Sequence, residues 1–155
     1  MKKLDDLVLE RIKEAIDPYC SITGEQLQKI SPFLEVKSYS AQQIIKPVNS
    51  EEKTVRFVLE GKLGLFYFDN KKEICDNIFT SGYLAFDLLS YLEKKVSSSY
   101  LITLTPCKVV EFHRDRRIEI LQKVPEFSEL SRAFLKREYV YAWERIRLLK
   151  KSDME

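Results

Sequence analysis

Residues 54–79, TVRFVLEGKLGLFYFDNKKEICDNIF, hold three short runs of strand-forming residues joined by two turn signals. Glu60-Gly61-Lys62 separates the first run from the second, and Asp69-Asn70-Lys71 the second from the third, which predicts a three-stranded antiparallel meander. In the middle run Leu63, Leu65 and Tyr67 alternate against Gly64, Phe66 and Phe68, so both faces carry aliphatic or aromatic bulk. A strand without a polar face has to be covered on both sides, and that restricts the chain to a small roll or barrel.

The same short, β-like patterning extends over residues 33–112, with strands expected near 33–38, 42–47, 54–60, 63–68, 73–79, 99–104 and 107–112. One stretch, YLAFDLLSYL over 83–92, loses the alternation and is expected as a short helix or turn. Both ends of the chain read as helix. Leu4, Leu7, Val8, Ile12, Ala15 and Ile16 recur at three- and four-residue spacing up to Asp17-Pro18, where proline stops the helix. Thr23 with Gln26 three residues on predicts a capping box opening a second helix over 24–30.

After Phe112 a short helix is expected over RDRRIEILQKV, and Pro125 then opens the longest helix, 126–149. Two apolar stripes run along it. Phe127, Leu130, Phe134, Tyr141 and Leu148 form a narrow seam of coiled-coil type, assigned here as the interface with a second chain. Leu135, Tyr139, Ala142, Ile146 and Leu149 form another, and together the two are wider than one core contact requires. One stripe then packs on the roll while the other meets a partner.

Chemistry-bearing patterns are scarce. The single histidine, His113, is expected exposed at a strand end, and one imidazole cannot build the metal site of a β-barrel enzyme. Cys20, Cys75 and Cys107 are an odd, dispersed set that suggests neither a disulfide framework nor zinc, and Cys75 and Cys107 are expected as small core hydrophobes. No phosphate-cradling glycine loop occurs among the four glycines, and Ser97–Ser99 have no base beside them in the sequence. The expectation is a protein that is not an enzyme and uses no cofactor or metal. A net charge of +2 gives no polyanion-binding signature, and Arg145, Arg147, Lys150 and Lys151 read as cations offsetting a helix C-terminus. The charged N-terminus lacks a signal-peptide core and no apolar run is long enough to span a membrane, so a cytoplasmic protein is expected.

The order of elements, with FVLEGKLGLFYFDNKKEI (57–74) and YLITLTPCKVVEFHRDRRIEILQKVPEF (100–127), resembles the sensor domain of the Crp/Fnr superfamily of bacterial regulators. The resemblance implies a fold that is mainly β with flanking helices, a cyclic-nucleotide-binding-type β-roll (double-stranded jelly roll). It would be one domain over 1–155, with N-terminal helices in 1–31, the roll in 32–113 and C-terminal helices in 114–150, the last of them for dimerisation.

In that family the segment between the two stretches is a phosphate cassette, whose Gly-Glu-Leu start binds ribose and whose Arg-Ser-Ala end binds the cyclic phosphate. By strand register the cassette here starts at Gly82-Tyr83-Leu84 and ends at Ser97-Ser98-Ser99, so Tyr83 stands for the glutamate and Ser97 for the arginine. Serine supplies neither the charge nor the fork of a guanidinium, so the usual cyclic-AMP contacts are not expected. The family's purine-contacting hydroxyls fall at Ala142-Trp143. The implied pocket therefore comprises Gly82, Tyr83, Leu84, Phe86, Ser97, Ser98, Ser99, Tyr100 and Trp143, suited to an uncharged or weakly charged small-molecule effector. A ligand-free interaction module is the alternative. The family's DNA-reading helix-turn-helix is absent, so DNA contact is expected only through such a domain outside this chain, which ends near the family's hinge at Asp153-Met154-Glu155.

Overall fold

The computed structural model describes residues 4–154. Met1–Lys3, the start of the charged N-terminus, and Glu155, the last residue of the expected hinge region, lie outside the described residues. Helix α1 (Asp6–Ile16) begins where the Asp5 carboxylate accepts from the Leu7 amide at 3.1 Å and ends at Asp17, as proline requires. Its buried face is Val8, Leu9, Ile12 and Ile16; Leu7, expected on that face, points to solvent and Leu9 takes its place. Helix α2 (Gly24–Ile30) carries the expected capping box, with reciprocal Thr23–Gln26 bonds of 3.0 and 3.2 Å.

Among the described residues ten strands follow: β1 (Glu35–Tyr39), β2 (Ile44–Lys46), β3 (Ser50–Glu51), β4 (Thr54–Glu60), β5 (Leu63–Asp69), β6 (Lys72–Phe79), β7 (Leu84–Ala85), β8 (Val96–Ser97), β9 (Tyr100–Thr103) and β10 (Cys107–His113). Helix α3 (Leu88–Glu93) sits between β7 and β8, and α4 (Arg117–Lys123) and α5 (Phe127–Met154) complete the chain. Two antiparallel sheets, ordered β1-β10-β4-β7 and β2-β9-β5-β6, form the roll, with β3-β8 as a small third pair. The expected meander is β4-β5-β6 in sequence, but β4 leaves for the other sheet and only β5 and β6 pair. Asn70 and Lys71, both at positive φ, make the tight β5–β6 turn.

Between the sheets lies one core of Val58, Leu63, Leu65, Phe79, Ala85, Leu101, Cys107 and Val109. A second core joins the outer face of the first sheet, through Phe57, Leu59, Leu84 and Val110, to α1, α2, α4 and α5. Double coverage therefore belongs to β4, whose Arg56, Phe57, Val58 and Leu59 are all buried, because the helices cover that sheet only. On β5 the outward face is closed by its own aromatics: the Phe66 ring lies over Gly64, where a Cβ would come within 2.3 Å of it, and stacks on Tyr100 at 5.6 Å. His113 is exposed at the end of β10, where its Nδ1 accepts from the Asp115 amide. Cys107 is buried as expected, whereas Cys75 is exposed on the edge strand β6.

The seam assigned to a second chain is corrected by α5 itself. Phe127 and Leu130 are buried in the chain's own core, Phe134 meets Phe57 edge-on at 6.3 Å, and Tyr141 packs on Tyr83 at 5.1 Å. Leu148 continues the same stripe but stands exposed, beyond the roll. The other stripe, Leu135, Tyr139, Ile146 and Leu149, with Trp143 beside it, faces solvent. Apolar spacing defines a helical face without saying which surface meets it.

Candidate functional site

The segment from Thr80 to Ser99 leaves the roll through β7, makes the short helix α3 and returns through β8. It begins at Gly82, whose φ of +92° suits glycine and whose amide donates to the Val58 carbonyl at 2.9 Å. Asp87 caps α3 by accepting from the Ser90 amide at 3.3 Å, and Lys94 ends the helix in the left-handed conformation.

Beneath this cassette lie buried charges, each paired. Arg56 forks onto the Glu52 carboxylate at 3.1 and 3.3 Å, and that carboxylate also accepts from the Asp87 and Thr54 amides at 3.2 Å each. The Glu52 amide donates to Ser90 Oγ at 2.9 Å, and Ser90 Oγ donates to the Lys95 carbonyl at 2.6 Å. At the far end Lys46, 3% exposed, directs its ammonium to Ser97 Oγ and to the Ser99 carbonyl, both at 2.7 Å, with Asp87 Oδ2 at 3.6 Å. Ser97 Oγ in turn donates to Asp87. Charges this deep persist only when paired and hydrogen-bonded, so the network fixes the cassette to β2 and β4. Arg114 adds a bond to the Tyr91 carbonyl at 2.8 Å and an ion pair with Glu51.

Between the cassette, β6 and α5 opens a cleft of about 530 Å³. Its walls combine Leu65, Phe79, Phe86, Leu88, Leu89, Leu92 and the Tyr83–Tyr141 pair with Asp76, Asp87, Glu138 and Arg145. A second, smaller apolar cavity of about 150 Å³ lies between the first sheet and the helices, and Glu138 stands in the walls of both. The Glu138 carboxyl is held above the usual range by burial, with Arg137 opposing, and its Oε1 has no hydrogen-bond partner. Arg137 is itself buried, with Nη2 3.6 Å from that oxygen. Its guanidinium lies 5.2 to 5.9 Å from the rings of Phe134, Tyr141 and Tyr83 and donates to the Ala15 carbonyl in the last turn of α1.

Of the pocket residues expected from sequence, the structure brings Tyr83 and Phe86 into the cleft wall. The others are placed elsewhere. Gly82 makes the turn, and Leu84 lines the smaller cavity because β7 turns it toward the helices. Ser97 and Ser99 lie behind the cleft on Lys46, while Ser98 is exposed. Tyr100 points out from β9 to Phe66, Phe68 and Glu73, on the face opposite Leu101, which is buried between the sheets. Trp143 lies on the solvent face of α5, and only Ala142 of that pair reaches the cleft. The cassette's carboxylate is Asp87 rather than anything at Tyr83. Its signal is a lone acid in the apolar run YLAFDLLSYL, and that of Lys46 is a cation closing the strand IIK. Arg137 and Glu138 carry no such mark among the many charges of α5.

Among the described residues no group of three potential metal ligands is clustered, and no helix is long and apolar enough to cross a membrane. Neither a family model nor a curated protein matches the sequence. Solved structures do. A cyclic nucleotide-binding domain from Methylobacillus flagellatus is 14% identical, with a TM-score of 0.80 over 94% of this chain and 85% of that one. The catabolite activator protein of Thermus thermophilus is 16% identical, with a TM-score of 0.67 over 88% of this chain and 63% of that one. The regulatory subunit of a cAMP-independent protein kinase A from Trypanosoma cruzi, bound to guanosine, is 12% identical, with a TM-score of 0.63 over 90% of this chain and 50% of that one. The chain thus spans half to two thirds of the two longer proteins, and identities this low speak to fold. With sheet order, cassette and long helix all in place, the chain has the β-roll fold of cyclic-nucleotide-binding domains and Crp/Fnr-type regulators.

Proposed function

We propose that this chain is the effector-sensing and dimerisation domain of a Crp/Fnr-type transcription regulator, with no catalytic activity of its own. The observation that carries this reading is the cleft whose two sides are the cassette and α5, meeting at Tyr83 and Tyr141. A small molecule seated there touches both elements and so favours one placement of the helix over another, which is what a population shift requires. The Trypanosoma cruzi regulatory subunit, which contains this fold, is bound to guanosine, a ligand without a phosphate, and that supports an effector of similar kind here. Cyclic AMP is not the effector in its usual mode, because the buried cation nearest the cassette's end is already committed to Asp87, Ser97 and Ser99.

Dimerisation uses the exposed stripe of α5, centred on Tyr139 and Ile146, and not the buried seam. Sedimentation equilibrium checks it: Tyr139→Glu with Ile146→Glu gives a folded monomer, and a dimer that survives the double substitution counts against the assignment. Thermal melting with a metabolite set checks sensing. A stabilising ligand whose effect is lost in Ala142→Trp supports the cleft. A dimer that no member of the set stabilises supports instead a ligand-free interaction module, consistent with how fully Lys46 and Asp87 satisfy each other.

A further inference from the structure

The cleft's charges constrain what enters it. Asp87 faces Lys46 at 3.6 Å and Glu138 faces Arg137 at 3.6 Å, so each carboxylate in the deep wall has its own cation behind it. Arg145, at the exposed mouth, donates to the Asp76 main-chain carbonyl at 3.0 Å and shares that wall with the Asp76 carboxylate. Among the buried groups of this wall an anion meets no cation without a counter-charge and a cation no carboxylate without one, whereas Arg145 and the Asp76 carboxylate, which make no ion pair among the described residues, stand exposed at the mouth. Transfer of either ion from water past that mouth costs free energy that the deep wall does not return.

Polar needs are left open at Arg137 Nε and Nη2 behind this wall and, on the wall itself, at Glu138. Glu138 Oε1 is buried without a donor, and unpaired buried acceptors carry a desolvation penalty that a ligand can relieve. The terminal torsion of a glutamate is broad, so a small rotation turns this carboxylate toward the cleft it already lines. Around it the wall is aromatic and aliphatic, with Tyr83, Phe86 and Tyr141 presenting rings, and its volume of about 530 Å³ is that of a drug-sized ligand site.

Resting on the sensor reading above, we infer that the effector is an uncharged, flat molecule with an N–H or O–H donor, which packs on Tyr83 and Tyr141 and donates to Glu138. Arg137 acts as a positioning residue: it touches no ligand but holds both tyrosine rings and the carboxylate from behind.

Titration calorimetry with matched probes tests this. The uncharged set is 1H-indazole, 2-quinolone, adenosine and guanosine; the anionic set is indazole-3-carboxylate, quinoline-2-carboxylate, cyclic AMP and cyclic GMP. The expected result is heat from members of the uncharged set and at least about tenfold weaker binding of each anionic counterpart. Glu138→Leu should weaken the uncharged binders by about tenfold, the worth of a hydrogen bond to a charged acceptor, and Glu138→Gln, which keeps a carbonyl acceptor, should restore part of it. Ala142→Trp fills the cleft from its exposed side, leaves the Arg137–Glu138 pair intact and should abolish binding even if Glu138→Leu fails to fold. Anionic probes that bind as well or better overturn the ligand class while leaving a ligand-binding sensor. Uncharged probes that bind unchanged in Glu138→Leu overturn the role of Glu138, and silence from every probe in the folded protein overturns the inference, with the dimer measured separately.

Discussion

Substituting Lys46 by methionine removes an ammonium that makes two 2.7 Å hydrogen bonds and an ion pair, while keeping a side chain of similar length. What remains is the Asp87 carboxylate, almost wholly buried, without its counter-charge. Removing one partner of a buried pair costs about 3–5 kcal/mol. Asp87 retains bonds from the Ser90 amide and from Ser97 Oγ, so the structure places the cost near the lower end, about 3 kcal/mol. With a urea slope of about 2 kcal/mol/M, the unfolding midpoint should fall by about 1.5 M. Adding Asp87→Asn removes the stranded charge yet keeps an N-capping oxygen, and the double variant should recover about half of the loss. Equilibrium unfolding followed by circular dichroism, with the slope fitted freely, measures all three. A single Lys46→Met variant within about 1 kcal/mol of the parent, or a double variant whose losses simply add, would refute the claim that these two residues hold the cassette together.

Three further outcomes follow from the geometry. Gly64→Ala should destabilise by about 1–3 kcal/mol, because the new Cβ meets the Phe66 ring, and Phe66→Leu in the same chain should relieve part of it. Titrating the thiols of the folded protein with a disulfide reagent should modify exposed Cys75 first and Cys107 only on unfolding, since burial both hides that thiol and raises its pKa. Tyr100 is pushed up to about 12 by burial and by its bond to Glu73, so its phenol keeps its proton in the fold. Its contribution to stability is then fully present below the ordinary tyrosine value near 10 and is lost as pH rises from there to about 12; ultraviolet titration should show the lag, and Glu73→Gln should shorten it.

The seven longer strands are legible in the sequence because runs of β-branched and aromatic residues bounded by turn residues are a strong signal, as in TVRFVLE and CKVVEFH. Strands β3, β7 and β8 have two residues each, too few for any period to show, and they exist because Arg56, Phe57, Ser50 and Glu51 offer partners distant in sequence. The capping box at Thr23 is local and reads directly. The direction in which α5 presents its two stripes is not local: it depends on Phe57 and Tyr83 lying opposite Phe134 and Tyr141. The site divides the same way. Tyr83 and Phe86 follow from strand register, but the pairing of Lys46 with Asp87 joins residues 41 positions apart (87 − 46), and charge composition treats both as surface groups.

Arg137 has a mechanical consequence. It lies about a third of the way along a helix of 28 residues, wedged among three rings and tied to the end of α1. Before it Phe127, Leu130 and Ala133 anchor the helix in the core, and the turns after it run out past the roll with most side chains in solvent. At 1.5 Å per residue the arm from Arg137 to Met154 is about 25 Å long, so a tilt of about 5° at this fulcrum sweeps its tip through about 2 Å. The cleft presses on the arm at Tyr141 and Ala142, just beyond the fulcrum. Small displacements there are magnified at the far end of the helix, where a neighbouring chain or domain would feel them.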